Sequence, residues 1–103
     1  MSVVPFALFA GDQGDPVVFL HGIGGQPELF RPQLSAFGST HRCIAWEMPG
    51  YGRTTLPPET GFPGLADALG RLMDCAAAPR AHLVGHSMGG MVALEFAARF
   101  PQR

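Results

Sequence analysis

Gly85-His86-Ser87-Met88-Gly89 sets a serine between glycines two residues away on either side, with Gly90 directly after. A serine hydroxyl is a weak nucleophile. It performs acyl chemistry when a sharp strand-to-helix turn lifts it above the backbone, a base removes its proton and hydrogen-bond donors hold the charge that develops on the acyl oxygen. Glycines suit such a turn: Gly85 and Gly89 would relieve its crowding, and Gly90 would let the next helix pack close to the sheet. A G-x-S-x-G match alone is weak evidence in a glycine-rich chain. Its context strengthens it, because it falls between the apolar run Ala81-His82-Leu83-Val84 and an apolar helical stretch from about Met88 to Phe100.

A second glycine-rich stretch, His21-Gly22-Ile23-Gly24-Gly25, follows the apolar run Val17-Val18-Phe19-Leu20. Backbone amides there suit an oxyanion hole, and the candidates are the amides of Ile23 and Met88. His21, Gly22 and His86 are expected to line the substrate pocket. Gly22-Ile23-Gly24 also begins a dinucleotide fingerprint, with Glu47 as the ribose-binding acid, but Pro27 stands at its third glycine. No histidine is well placed as the base for Ser87. His86 adjoins the serine on a turn where neighbouring side chains diverge, and His21 belongs to a structural turn. His41 lies in a remote connection, and His82 lies early in a strand at the other end of the sheet. His82 and His86 have a helical metal-ligand spacing but fall on a strand, so no metal site is expected. No organic cofactor is required either.

The elements that must position these residues read as alternating strands and helices. Val3 to Ala10 is extended and is followed by the turn-rich Gly11-Asp12-Gln13-Gly14-Asp15-Pro16, as in one arm of a hairpin. Val17 to Leu20 and Arg42 to Trp46 read as strands buried on both faces. A helix is expected from about Pro27 to Phe37, with Leu29, Phe30, Leu34 and Phe37 on one face. Met48 to Gly64, with four prolines, is expected as a long loop. Leu65, Leu69, Leu72, Met73 and Ala76 mark an apolar helical stripe, with Asp67, Arg71 and Asp74 mainly on the other side. In the last helix, Glu95 and Arg99 form an i, i+4 pair, and Pro101 ends the element. This rhythm predicts an α/β fold, a parallel sheet with flanking helices. Three glycine-rich turns, including Met48-Pro49-Gly50-Tyr51-Gly52, would then meet at the carboxyl ends of the strands.

Composition sets wider limits. The chain has 103 residues, 47% hydrophobic and 15% charged, with a formal net charge of -1. It can bury a core and carries no field that would select nucleic acid or a membrane surface. The two cysteines, Cys43 and Cys75, have no framework spacing and read as buried free thiols in a reducing, cytoplasmic setting. The N-terminus lacks a basic region and a cleavage site, so a strand is expected there and not a signal peptide. No stretch approaches the ~20 apolar residues of a membrane helix.

Together, the strand-HG-x-G turn, the P-G-x-G turn and the G-H-S-M-G-G elbow resemble the N-terminal part of an α/β-hydrolase fold protein over nearly the whole chain. The resemblance implies Ser87 as nucleophile and the Ile23 and Met88 amides as oxyanion donors. In Trp46-Glu47-Met48-Pro49-Gly50-Tyr51-Gly52-Arg53-Thr54, Glu47 and Thr54 stand where the family usually has aspartate and serine. Serine at the elbow, where family dehalogenases and epoxide hydrolases use aspartate, argues against those activities. In the family the acid and the histidine follow the nucleophile along the chain. Residues 1–103 are therefore expected to be the N-terminal part of one catalytic domain, nearly inactive alone. The function expected of the whole is hydrolysis of a small ester-like or related acyl substrate. The alternatives are an acyltransferase on the same scaffold and a non-catalytic module.

Overall fold

A computed structural model describes residues 4–52 and 61–103. Strands β1 (Ala7–Ala10), β2 (Pro16–Leu20), β3 (Arg42–Trp46) and β4 (His82–Gly85) form one sheet in the order β1-β3-β2-β4. β2 is paired in parallel with both β3 and β4, whereas β1 runs antiparallel to β3. The helices are α1 (Arg31–Phe37), α2 (Gly61–Cys75) and α3 (Met88–Arg99).

The strands alternate as a two-residue period requires. Val18, Leu20, Ile44 and Trp46 pack in one core with Leu65, Leu69, Leu72 and Met73 of α2 and Val92 and Phe96 of α3. Phe19, Cys43 and Ala45 face the other way, onto Leu34 of α1. The continuous apolar runs are thus explained by a sheet covered on both faces. At Gly70 the two long helices pass in ordinary contact distance: a Cβ there would meet the Phe96 ring at 3.6 Å.

Several local expectations change. β1 and Pro16–Leu20 do not form a hairpin, because β3 lies between them and takes β1 as its own partner. Turn residues indicate a reversal, but not which strand fills the gap beside it. The expected helix from Pro27 begins as a 3-10 turn, Pro27–Phe30, and becomes α-helical only at Arg31. Pro32, which has no N–H to give to a carbonyl one turn back, sits at that change. Leu34 is its buried residue, while Leu29 and Phe37 remain exposed. α2 starts at Gly61, inside the expected loop, and accepts Pro63 because first-turn amides have no partner within the helix. Residues 53–60 of that loop, including Thr54, and Val3 of the first extended stretch lie outside the described residues. Arg99 does not serve the pair expected with Glu95. It reaches across to α2, 3.2 Å from Asp67 and 2.8 Å from the Pro63 carbonyl oxygen.

The cysteines part company. Cys43 is buried, and burial pushes its thiol above the ordinary value, whereas Cys75 is exposed. Since the thiolate is the reactive form, iodoacetamide at mildly alkaline pH should alkylate Cys75 first and Cys43 only after unfolding. Peptide mass mapping checks this, and equal labelling of both in the folded chain would contradict the packing.

Candidate active site

The sheet order contains a reversal. The chain leaves β2 towards α1 on one face, and it leaves the adjacent β4 towards α3 on the other. Neighbouring strands whose outgoing connections turn to opposite faces leave a crevice at their carboxyl ends. The turn after β2 is His21 to Gly25 and the turn after β4 is His86-Ser87, so the crevice falls between the two motifs. They touch: a Cβ on Gly22 would stand 3.0 Å from both the Ser87 Cβ and the His86 carbonyl oxygen. The His86 amide donates to the Leu20 carbonyl at 3.0 Å, continuing the strand pairing up to the turn itself.

Ser87 has φ 57 and ψ -119. This is a left-handed conformation that a non-glycine residue holds only when its surroundings impose it, at a cost of order 1–3 kcal/mol. Here the imposing surroundings are the glycines. A Cβ on Gly85 would stand 2.5 Å from the Gly89 oxygen and the Gly90 backbone, and one on Gly89 would overlap the Leu20 carbonyl oxygen. Gly90, expected to permit the close approach of helix to sheet, is not the residue that does so: a Cβ there would meet the Gly85 oxygen at an ordinary 3.4 Å. Helical phase decides this, since Gly89 faces the backbone at the end of β2 and Gly90 faces Gly85 at the end of β4 at ordinary distance. Ser87 is exposed, and its hydroxyl makes no capping bond to α3. Met88 is the first residue of α3, so its amide has no carbonyl within the helix to bind and lies at the positive end of the helix dipole.

The turn after β2 is held internally. Gly25 N–H donates to Gly22 O at 3.0 Å. His21 is 1% exposed, and both its ring nitrogens are engaged. Met48 N–H donates to Nε2 at 3.0 Å, so the ring proton sits on Nδ1 and is donated to Gly22 O at 2.9 Å. Gly22 O is thus fixed by two donors. Because the peptide is planar and trans, the direction of the Ile23 N–H, opposite that carbonyl, is fixed with it. Ile23 is 77% exposed, and among the described residues no hydrogen bond uses its amide.

The third turn joins the other two. Met48 is bound to His21, Tyr51 N–H closes the turn on Met48 O at 3.0 Å, and the Tyr51 hydroxyl accepts from Gly24 N–H at 3.3 Å. Beneath it Glu47 is buried, and Gly52, with φ +48, leaves room for the Glu47 carboxylate, which a Cβ would overlap. Sequence reasoning missed Tyr51. Its place in the P-G-x-G turn is a signal, but its hydroxyl's partner is 27 residues away.

Of the other histidines, His82 and His41 lie away from the crevice, whereas His86 Nδ1 would stand 3.5 Å from a Cβ on Gly22, between the two turns. His82 Nε2 is 3.5 Å from Asp15 at the amino ends of the strands. A depression lined by Asp15, Arg42, Arg80, His82 and Arg103 lies at that same end. The His41 ring is 2.8 Å from the Thr40 hydroxyl, ahead of β3. His86 is exposed beside Ser87. Among the described residues no histidine is hydrogen-bonded to Ser87. No helix among them is long and apolar enough to cross a membrane.

Known proteins share this fold. The family model described as alpha/beta hydrolase fold matches residues 15–103. The chain is 37% identical over 93 residues to "Putative carbamate hydrolase RutD" of Variovorax paradoxus, covering 87% of the chain and 35% of that protein. It is 36% identical over 94 residues to the dihydrolipoyllysine-residue acetyltransferase component of the acetoin cleaving system of Pseudomonas putida, covering 90% of the chain and 25% of that protein. Among solved structures, an N-acyl homoserine lactone degrading enzyme superposes with a TM-score of 0.90 at 30% identity, over 98% of this chain and 39% of that one. The chain therefore spans between a quarter and two fifths of the length of these relatives.

Proposed function

The chain belongs to the α/β-hydrolase fold family, and from that premise we propose that it carries the nucleophile and the oxyanion site of a serine hydrolase acting on a small ester-like or related acyl substrate. The observation that carries this reading is the strained, exposed Ser87, set between the first amide of α3 and the anchored turn at Gly22. Strain of this kind persists where the surroundings over-determine it, and here three glycine-dependent contacts do so.

In this mechanism Ser87 Oγ attacks the acyl carbon while its proton passes to a histidine. The carbonyl π pair moves onto oxygen, where the Ile23 and Met88 amides stabilise the charge. Collapse of the tetrahedral intermediate breaks the bond to the leaving group, which takes the proton from the histidine. Water then repeats the sequence on the acyl-serine and releases the acid. His21 is a positioning residue in this scheme, since both its nitrogens hold backbone. We assign the base and its acid partner to parts of the same domain outside residues 1–103, which would make this stretch the N-terminal part of that domain.

The relatives' names support carbonyl chemistry, since carbamates and lactones both present a carbonyl carbon bonded to a heteroatom leaving group. The acetyltransferase relative favours a second reading, acyl transfer to an alcohol or thiol by the same elbow. Turnover that rises with added acceptor would select it.

A fluorophosphonate probe tests the assignment. In the protein carrying its complete α/β-hydrolase domain, the probe should modify Ser87, seen as a mass increment on the peptide that contains it. The 103-residue chain should label roughly 10²–10⁴ times more slowly, the usual contribution of a positioned base. Labelling elsewhere, or equally fast labelling of the short chain, would overturn the reading.

A further inference from the structure

We propose that the Ile23 side chain is a wall of the substrate crevice and selects substrates that carry an apolar group on the reacting carbonyl carbon. The inference rests on the assignment of the Ile23 amide as an oxyanion donor. Of residues 21–25, His21 is 1% exposed and Gly22, Gly24 and Gly25 have no side chain. Ile23 therefore supplies the one side chain that this turn shows to solvent. It is aliphatic and 77% exposed, and among the described residues it belongs to neither apolar core. Packing gains little from it.

Covalent geometry ties that side chain to the reacting atoms. A carbonyl oxygen held by the Ile23 N–H lies about 2.9 Å from the nitrogen. Standard bond lengths and angles then place the Ile23 Cβ about 3.5–5 Å from the same oxygen, whatever φ the residue adopts. Substituents on the carbonyl carbon come next, within reach of the Ile23 γ and δ carbons. The turn stays against the nucleophile, because a Cβ on Gly22 would stand 3.0 Å from the Ser87 Cβ. Its backbone is pinned too, since Gly22 O accepts from His21 Nδ1–H and Gly25 N–H. Beyond Ile23 the turn leaves room, for a Cβ built on Gly24 would meet nothing within 4 Å. An alkyl or aryl substituent seated there takes its own apolar surface and that of Ile23 out of water, worth roughly fourfold in rate for each methylene fully covered in the transition state. A polar substituent would lose hydration against the same wall with no hydrogen bond in return.

The test uses the protein with its complete domain and two fluorophosphonates that share one alkoxy group and carry either methyl or n-pentyl on phosphorus. The phosphoryl oxygen stands in for the acyl oxygen, so the rate of Ser87 labelling reads the preference with no natural substrate needed. The parent should label faster with the pentyl probe. In Ile23→Ala the pentyl-to-methyl ratio of rates should fall about 3- to 10-fold. In Ile23→Leu, which keeps the apolar volume, it should stay within about twofold of the parent. The ratio is decisive because a disturbed oxyanion amide slows both probes alike and cancels. A ratio unchanged in Ile23→Ala overturns the proposal, as does a parent that prefers the methyl probe or an equal fall in Ile23→Leu. The melting temperature of Ile23→Ala should match the parent, as for other exposed side chains; a loss of several degrees would assign Ile23 to packing and overturn the role in selection. If neither probe modifies Ser87, the serine reading itself falls. If both do, at a ratio that Ile23→Ala leaves alone, the role of the side chain falls and the serine reading stands.

Discussion

Ser87→Ala, introduced into the protein carrying its complete α/β-hydrolase domain, is expected on the proposed mechanism to lower kcat by roughly 10⁶-fold, the scale seen when the nucleophile of a serine triad is removed. Folding should be unaffected. Ser87 is exposed and its hydroxyl makes no capping bond, so the packing loses nothing with it. Alanine at φ 57 carries a strain similar to that of serine, because the steric conflict at positive φ comes from Cβ, which both residues have. A melting temperature within a few degrees of the parent, together with the loss of turnover, separates the loss of chemistry from a loss of fold. Residual turnover would measure what the Ile23 and Met88 amides and the pocket achieve alone, on the order of 10³–10⁴ over water in serine proteases. Full turnover in the variant would remove Ser87 from the mechanism and leave the fold without a catalytic assignment.

Gly89→Ala and Gly90→Ala should behave in opposite ways although they are neighbours in one motif. At Gly89 the new methyl group would overlap the carbonyl oxygen of Leu20 and crowd that of His21 at 2.7 Å. Both oxygens belong to backbone at the end of β2, the strand paired on both sides, so neither can give way as a flexible side chain would. Forcing α3 away from the sheet should cost about 3 kcal/mol or more, at the upper end of overpacking effects. It should also displace Ser87 and the Met88 amide. At Gly90 the methyl group would meet ordinary contacts at 3.4 Å and beyond, in a helical segment. There alanine should gain about 0.5–1 kcal/mol through its higher helix propensity. Urea denaturation of the three proteins checks both signs, and equal effects at the two positions would contradict the placement of α3 against β2.

Much of this site was legible in the residues. Buried strands announce themselves as short continuous apolar runs, and Val17 to Leu20 and Arg42 to Trp46 lie where β2 and β3 are found. The stripe of Leu65, Leu69, Leu72 and Met73 likewise faces the core in α2. The convergence of three glycine-rich turns at one end of the sheet followed from the alternation of strands and helices, because parallel strands joined by crossovers all end on the same side. These properties depend on neighbours a few residues apart, which the order of amino acids records directly.

Other features depend on what lies across a gap in space. Local turn chemistry could not reveal that β3 inserts between β1 and β2, since either strand would satisfy the same backbone groups. The apolar positions Leu29, Phe30, Leu34 and Phe37 have helical spacing, yet Leu34 is buried and Phe30 half-buried while Leu29 and Phe37 stay exposed, because a 3-10 turn ahead of Pro32 changes the phase of the face. Which of two adjacent glycines bears the close approach depends on the rotation of α3 against β2, and the tyrosine that reaches Gly24 is brought there by the third turn. That a serine would stand at a glycine-bounded strand-to-helix turn in an α/β sheet can be read from the amino acids alone, because it is a pattern of local spacing. How that turn is held against β2, and how the turn after β2 is tied to Tyr51, cannot, because the approach of Gly89 to the Leu20 carbonyl and the hydrogen bond from Gly24 to Tyr51 join segments that meet only when the sheet has formed.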